Sequence, residues 1–200
     1  MTLRNITCAV TLCLLTLSGQ AVGKTEVPPY KNKSLSIEKR VDDLMGRMTL
    51  REKVLQLQNR GAGRLDEIDR IFNGESFGCT HEMGTTAAEC ATMYKELQQY
   101  MLTKTRLGIP IITSAEGIQG ILQNNCTLFP HALAQGSTFN PALIQRMTEA
   151  AGEEAKVIGI HQILSPVLDI ARELRWGRVE ETFGEDPYLI SEMGIAFING

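Results

Sequence analysis

The sequence predicts an α/β fold built on a parallel sheet. Short β-branched runs at residues 109–115 (IPIITSA) and 162–168 (QILSPVL) alternate with longer stretches whose apolar residues recur at helical spacing. Those longer stretches open at recognisable caps and close at glycines. Such alternation puts a helix between successive strands, which makes the strands parallel.

Taken in order, residues 1–23 carry Arg4, an apolar run over 6–17, and the small residues Ala21 and Gly23. This is the pattern of a secretory signal peptide cleaved after Gly23. The run is shorter than the roughly 20 apolar residues a spanning helix needs. No membrane association is therefore expected after signal removal, and the protein is expected to be secreted or periplasmic. Residues 24–35 are polar with Pro28 and Pro29 and read as a linker, leaving 36–200 as the folded portion.

Ser36 caps a first helix with Ile37, Val41, Leu44 and Met48 on its inward face. Thr49 and Glu52 form a capping box that opens a second, with apolar Leu50, Val54 and Leu57. Residues 61–84 read as a long irregular loop. A capping box at Thr86 and Glu89 starts a helix to about Lys104, with Cys90, Tyr94, Leu97 and Met101 inward. Asn140 and Pro141 start another, with Ile144, Met147, Ala151, Ala155 and Ile158 buried and Gly159 as its stop. Asp186 and Pro187 open the last, with Ile190, Met193 and Phe197 inward. About three strand–helix units are present, with no internal repeat. A closed (β/α)8 barrel needs eight units and typically about 250 residues. The expected architecture is the N-terminal part of a TIM-type barrel, incomplete in this chain.

Composition sets outer limits. The chain has 200 residues, a net charge of −3 and an ordinary 43% hydrophobic content. Nothing there favours nucleic acid as a partner. Beyond the signal the cysteines are Cys79, Cys90 and Cys126, an odd number that cannot all pair within one chain. The fold must rest on its core.

Glu116 directly follows the strand at 109–115 and is flanked by Gly117 and Gly120. A carboxylate at the C-terminal end of a parallel strand sits where barrel enzymes keep their sites. Its oxygens accept hydrogen bonds from sugar hydroxyls, and the glycines let a ligand approach the backbone. Asp169 follows the second strand, and Arg172, Arg175 and Arg178 follow within DIARELRWGRVEETFGEDPYL. Such a cluster either binds a polar ligand or locks its own loop by ion pairs. Trp176 is a stacking or a packing residue. Cys79, His81, Glu82 and Cys90 match no standard zinc spacing, and His131 and His161 read as packing or loop residues. The lone GxG at 61–63 does not make a dinucleotide site.

Four segments in order resemble the N-terminal barrel domain of glycoside hydrolase family 3, of the β-glucosidase or β-xylosidase type. They are VDDLMGRMTLREKVLQL, TRLGIPIITSAEGIQG, TLFPHALAQGSTFNPALI and SPVLDIARELRWGRVEETFGEDPYL. The resemblance implies that Glu116 and Arg178 bind the sugar at the cleavage point, with Asp169, Arg175 and Glu181 as supports. Gln119 stands where the family usually has His. The resemblance also implies a retaining mechanism with an Asp nucleophile and a Glu acid/base. Both are expected beyond residue 200, so no catalytic residue is assigned here. No metal and no cofactor are expected, and the expected partner is an oligosaccharide or β-glycoside releasing terminal β-linked glucose or xylose. The alternative is a non-catalytic truncated remnant with at most weak sugar binding. Oligomeric state stays open.

Overall fold

The computed structural model describes residues 27–81 and 86–200. They fall into two units, one ending at Arg47 and one spanning Met48–Gly200. The signal segment and Glu82 lie outside the described residues.

In the first unit, helix α1 (Ile37–Arg47) follows a 3-10 turn at Pro29–Lys31 inside the stretch read as a linker. The two are tied together: the Tyr30 amide donates to Asp43 Oδ2 at 3.1 Å and Arg40 Nε donates to the Tyr30 carbonyl at 3.1 Å. Arg47 meets Asp43 one turn away at 2.8 Å and holds that carboxyl below its usual range. The expected inward face of α1 is not buried within this unit. Ile37 and Val41 are exposed, and Met48 falls past the end of the helix. An amphipathic helix buries its stripe only where another element covers it.

The second unit begins with α2 (Leu50–Leu55), whose N-terminus is the reciprocal Thr49–Glu52 capping box. Its buried residue is Leu55, whereas Leu50, Val54 and Leu57 are exposed. A six-residue helix makes under two turns, too few for a periodic face to be legible.

The segment expected as a loop over 61–84 is partly ordered into elements. It holds a 3-10 turn at Leu65–Glu67, α3 (Ile68–Phe72) and β1 (Cys79–Thr80). Phe72 is fully buried, edge-on to Phe77 at 5.6 Å and tilted against Tyr100 at 6.2 Å. Asn73 then ends α3 in the left-handed region at φ 46°.

From there the chain alternates as expected: α4 (Ala87–Lys104), β2 (Ile112–Ala115), α5 (Ala132–Gly136), α6 (Pro141–Ile158), β3 (Gln162–Ile163) and α7 (Pro187–Asn199). The strands form one parallel sheet in the order β1–β2–β3. Thr80 is in register with Thr113, and Ala115 with Ile163. β3 is far shorter than the expected 162–168 because Pro166 has no N–H to give a ladder. One core joins α3, α4, β2 and the end of α6 through Phe72, Tyr94, Leu97, Met101, Ala115 and Ile158. A second joins α5, α6 and α7 through Ala132, Ile144, Phe183, Ile190 and Met193.

Candidate functional site

Parallel pairing sets Thr80, the last residue of β1, opposite Thr113, two residues before the end of β2. His81 is the first residue after β1, and Glu116 the first after β2. Their side chains are 38% and 40% exposed, so both look out from the same end of the sheet. His81 Nε2 stands 4.0 Å from Glu116 Oε1. The other ring nitrogen, Nδ1, lies 3.4 Å from Ser114 Oγ, and that hydroxyl donates to the Thr80 carbonyl at 2.9 Å. Ser114 is buried, so this anchorage lies inside the sheet.

The glycines beside Glu116 have a different task from the one expected. A Cβ on Gly117 would collide with Ile163 of β3, and Gly120 sits at φ 94° with a Cβ position that would run into the Thr127 carbonyl. They serve the close packing of the chain behind the site. Gln119 is half-buried, and its carbonyl accepts from the Phe129 amide at 2.8 Å.

The loop after β3 supplies the cationic side. Arg178 lies against Glu181, with Nε 2.9 Å from Oε1 and Nη2 2.5 Å from Oε2. This forked pair holds Glu181 below the ordinary carboxylate range and raises Arg178 further. Glu181 is the largest influence on Arg178, and the charges of Asp169 and Glu116 add to it. Glu181 in turn feels His131. The structure thus brings Glu116, Asp169, Arg178 and Glu181 into one electrostatic neighbourhood, with Asp169 exposed to solvent. A guanidinium has five N–H donors. Glu181 engages the Nε/Nη2 edge, and the Arg178 side chain is still 59% exposed, leaving donors turned to solvent.

Arg175 is placed differently. Its guanidinium pairs with Glu173, two residues earlier, at 2.6 and 2.8 Å, and it is 90% exposed. Arg175 pushes Glu173 down to about 2. Arg172 is exposed and Trp176 half-buried. His161 is at the opposite end of the strands from Glu116, with Nδ1 2.6 Å from Thr113 Oγ1. Among the described residues, no group of three His, Cys, Asp or Glu is arranged to hold a metal ion.

The sequence reading met His81 only in a rejected zinc pattern and did not place it at a strand end. A β1 two residues long, Cys79–Thr80, has no alternation to reveal it, so His81 could not be seen as a strand-end residue like Glu116.

The sequence profile of the glycosyl hydrolase family 3 N terminal domain matches residues 49–200. The chain belongs to that family. A putative beta-xylosidase of Formosa agariphila is 35% identical over 88% of this chain and 25% of its own length. A periplasmic beta-glucosidase/beta-xylosidase of Dickeya chrysanthemi is 30% identical over 86% of this chain and 30% of its own length. Among solved structures, a mutant beta-glucosidase from Listeria innocua in complex with laminaribiose superposes with a TM-score of 0.65 at 30% identity, covering 82% of this chain and 24% of that one. The chain thus spans 24–30% of the length of these relatives. Its helices and parallel strands are part of the family's TIM-barrel-like α/β domain.

Proposed function

We propose that this chain is the N-terminal part of the catalytic barrel of an exported, retaining β-glycosidase that releases terminal β-linked glucose or xylose from glycosides or oligosaccharides. Glu116 and Arg178 hold the glycone. Glu181 orients Arg178, and Asp169 adds negative charge beside it. Arg175 steadies the outer turn of the same loop through Glu173. The nucleophile and the acid/base belong to parts of the enzyme beyond residue 200, so the chain contributes binding and no bond chemistry. No metal and no cofactor enter this reading.

The observation that carries the proposal is the place of Glu116, directly after β2 at the C-terminal end of the parallel sheet, within a chain matched by the family over residues 49–200. A carboxylate accepts from hydroxyls while a guanidinium donates to them, so the two together recognise a polyol ring. Export is supported by the signal-like residues 1–23. Among the described residues no helix is long and apolar enough to cross a membrane. The test is turnover of aryl β-glucosides and aryl β-xylosides by the full-length protein, with the anomer of the released sugar followed by NMR. Release of the β-anomer first is the expected result, and release of the α-anomer first would refute retention. Absence of turnover on both substrates would refute the activity.

A further inference from the structure

Two of the three cysteines beyond the signal-like segment come together in the fold. Cys90 lies in the first turn of α4, its amide donating to the Thr86 carbonyl at 2.9 Å, and its side chain is fully buried in the larger core. Cys126 lies between Glu116 and α5, is half-buried, and packs against that same core. The backbones are tied beside both. The Ala87 amide donates to the Asn124 carbonyl at 3.1 Å, and the Cys126 amide turns back to the Gln123 carbonyl at 3.0 Å. Cys90 is less than one helical turn beyond Ala87, and Cys126 is two residues beyond Asn124. The segment is pinned on its other side as well: Glu154 of α6 accepts from the Thr127 amide at 3.1 Å and from the Thr127 hydroxyl at 2.7 Å. Burial first, then the Glu154 carboxylate and the sulfur of Cys90, hold the Cys126 thiol above its ordinary value, so the two sulfurs lie within electrostatic reach of each other. Cys79 is placed elsewhere, in β1, with Sγ 4.0 Å from the Gln58 carbonyl oxygen.

We propose that Cys90 and Cys126, thiols in this structure, close into a disulfide bond in the exported protein. The bond links the segment that follows Glu116 to the first turn of α4 and leaves Cys79 outside the pair. Closure is thiol–disulfide exchange with a glutathione-type or protein disulfide as oxidant. Cys126, the more exposed of the two, attacks as its thiolate; one thiol leaves the oxidant and a mixed disulfide remains on Cys126. The Cys90 thiolate then attacks Cys126 Sγ and expels the second thiol. One S–S bond breaks in the oxidant and one forms in the protein. Two electrons pass to the oxidant, and the two protons the cysteines lose end on its sulfurs. Exported proteins meet such oxidants, and in that respect alone the inference rests on the export reading.

The full-length protein tests this in two preparations, one made in a host cytosol and equilibrated with an oxidising glutathione buffer, the other made with its signal segment in an exporting host. Each is denatured, alkylated without reduction, digested and read by mass spectrometry. The expected result is a linked Cys90–Cys126 peptide pair in most molecules of both, lost on treatment with dithiothreitol, with Cys79 not joined to either. Cys79→Ala is expected to keep the link, and Cys126→Ala to turn Cys90 into an alkylated thiol. Should Cys126→Ala fail to fold, the linked peptides of the wild type decide. Alkylation of both Cys90 and Cys126 after equilibration with the glutathione buffer overturns the proposal. So does a bond from either of them to Cys79 or to a cysteine beyond residue 200. A linked pair in the glutathione buffer, together with an intact mass that keeps residues 1–23 and retention in the cytosol of the exporting host, sinks the export reading alone.

Discussion

In the proposed site Arg178 binds the sugar with the part of its guanidinium that Glu181 does not engage. The forked pair fixes the direction of the plane, and the rest of the guanidinium is open to solvent. In the full-length enzyme, Glu116→Ala and Arg178→Ala are each expected to lower kcat/KM by at least roughly tenfold. Part of that loss falls in kcat, because hydrogen bonds to the ring strengthen as it approaches the oxocarbenium-like transition state. Arg172→Ala is the control, since Arg172 is exposed and its backbone amide turns back to the Ile170 carbonyl. Steady-state kinetics on the best aryl glycoside read all three variants. Wild-type kcat/KM in folded Glu116→Ala and Arg178→Ala would remove both residues from the sugar. Much of this was legible in the sequence: Glu116 announces itself at the end of a β-branched run, and Arg178 lies in a dense charged loop. The residues by themselves left open which arginine binds, and the resemblance to the family assigned Arg178 with Arg175 as a support. In the structure each has a carboxylate within three residues, Glu173 for Arg175 and Glu181 for Arg178.

At the level of elements, the sequence is most readable where a cap is chemical. The boxes at Thr49–Glu52 and Thr86–Glu89 and the Asn140 and Asp186 caps open helices where expected, because each satisfies orphan backbone amides locally. The strands were less readable, since a parallel ladder is decided by residues far away in sequence. Thr80 pairs with Thr113, and neither position says so alone. Glu52 shows how a local cap acquires a long-range role. Besides capping α2 it takes a forked pair from Arg106 at 2.5 and 2.8 Å, and Arg106 holds it at about 2. A carboxyl depressed in the folded state stabilises fully above its unfolded value, about 4.3, and that contribution is lost as pH falls towards 2. Glu52→Gln keeps a capping-box residue but loses the charge, so its melting temperature is expected to trail the wild type at pH 7 and to converge with it as pH falls from about 5 towards the folded value. Glu52→Ala loses the box as well, costing about 1 kcal/mol more. A gap between wild type and Glu52→Gln that stays constant down to pH 3 would show that the ion pair contributes nothing.

The whole chain raises a question of closure. Counting strand–helix units in the sequence showed too few for a closed barrel, and the sheet bears that out among the described residues with three strands in the order β1–β2–β3. β3 pairs with β2, and among the described residues no strand pairs with its other side. Leu168 and Ile170 line a groove of about 410 Å³ with Ile195 and Ile198 of α7, and all four are exposed. An unpaired edge and an exposed apolar groove are each a template for association with other chains. Residues 24–200 made alone are therefore expected to self-associate, and, with the nucleophile and acid/base proposed to lie in later parts, to leave aryl β-glucosides and aryl β-xylosides intact. Light scattering across a dilution series reads the first expectation, and an assay against a blank reads the second. Replacing Ile195 and Ile198 by Lys separates the causes: if the groove drives association, the doubly charged variant becomes smaller in solution while remaining inactive. A monomeric preparation of residues 24–200 that turns over either substrate would mean that this stretch already contains the groups that break the bond.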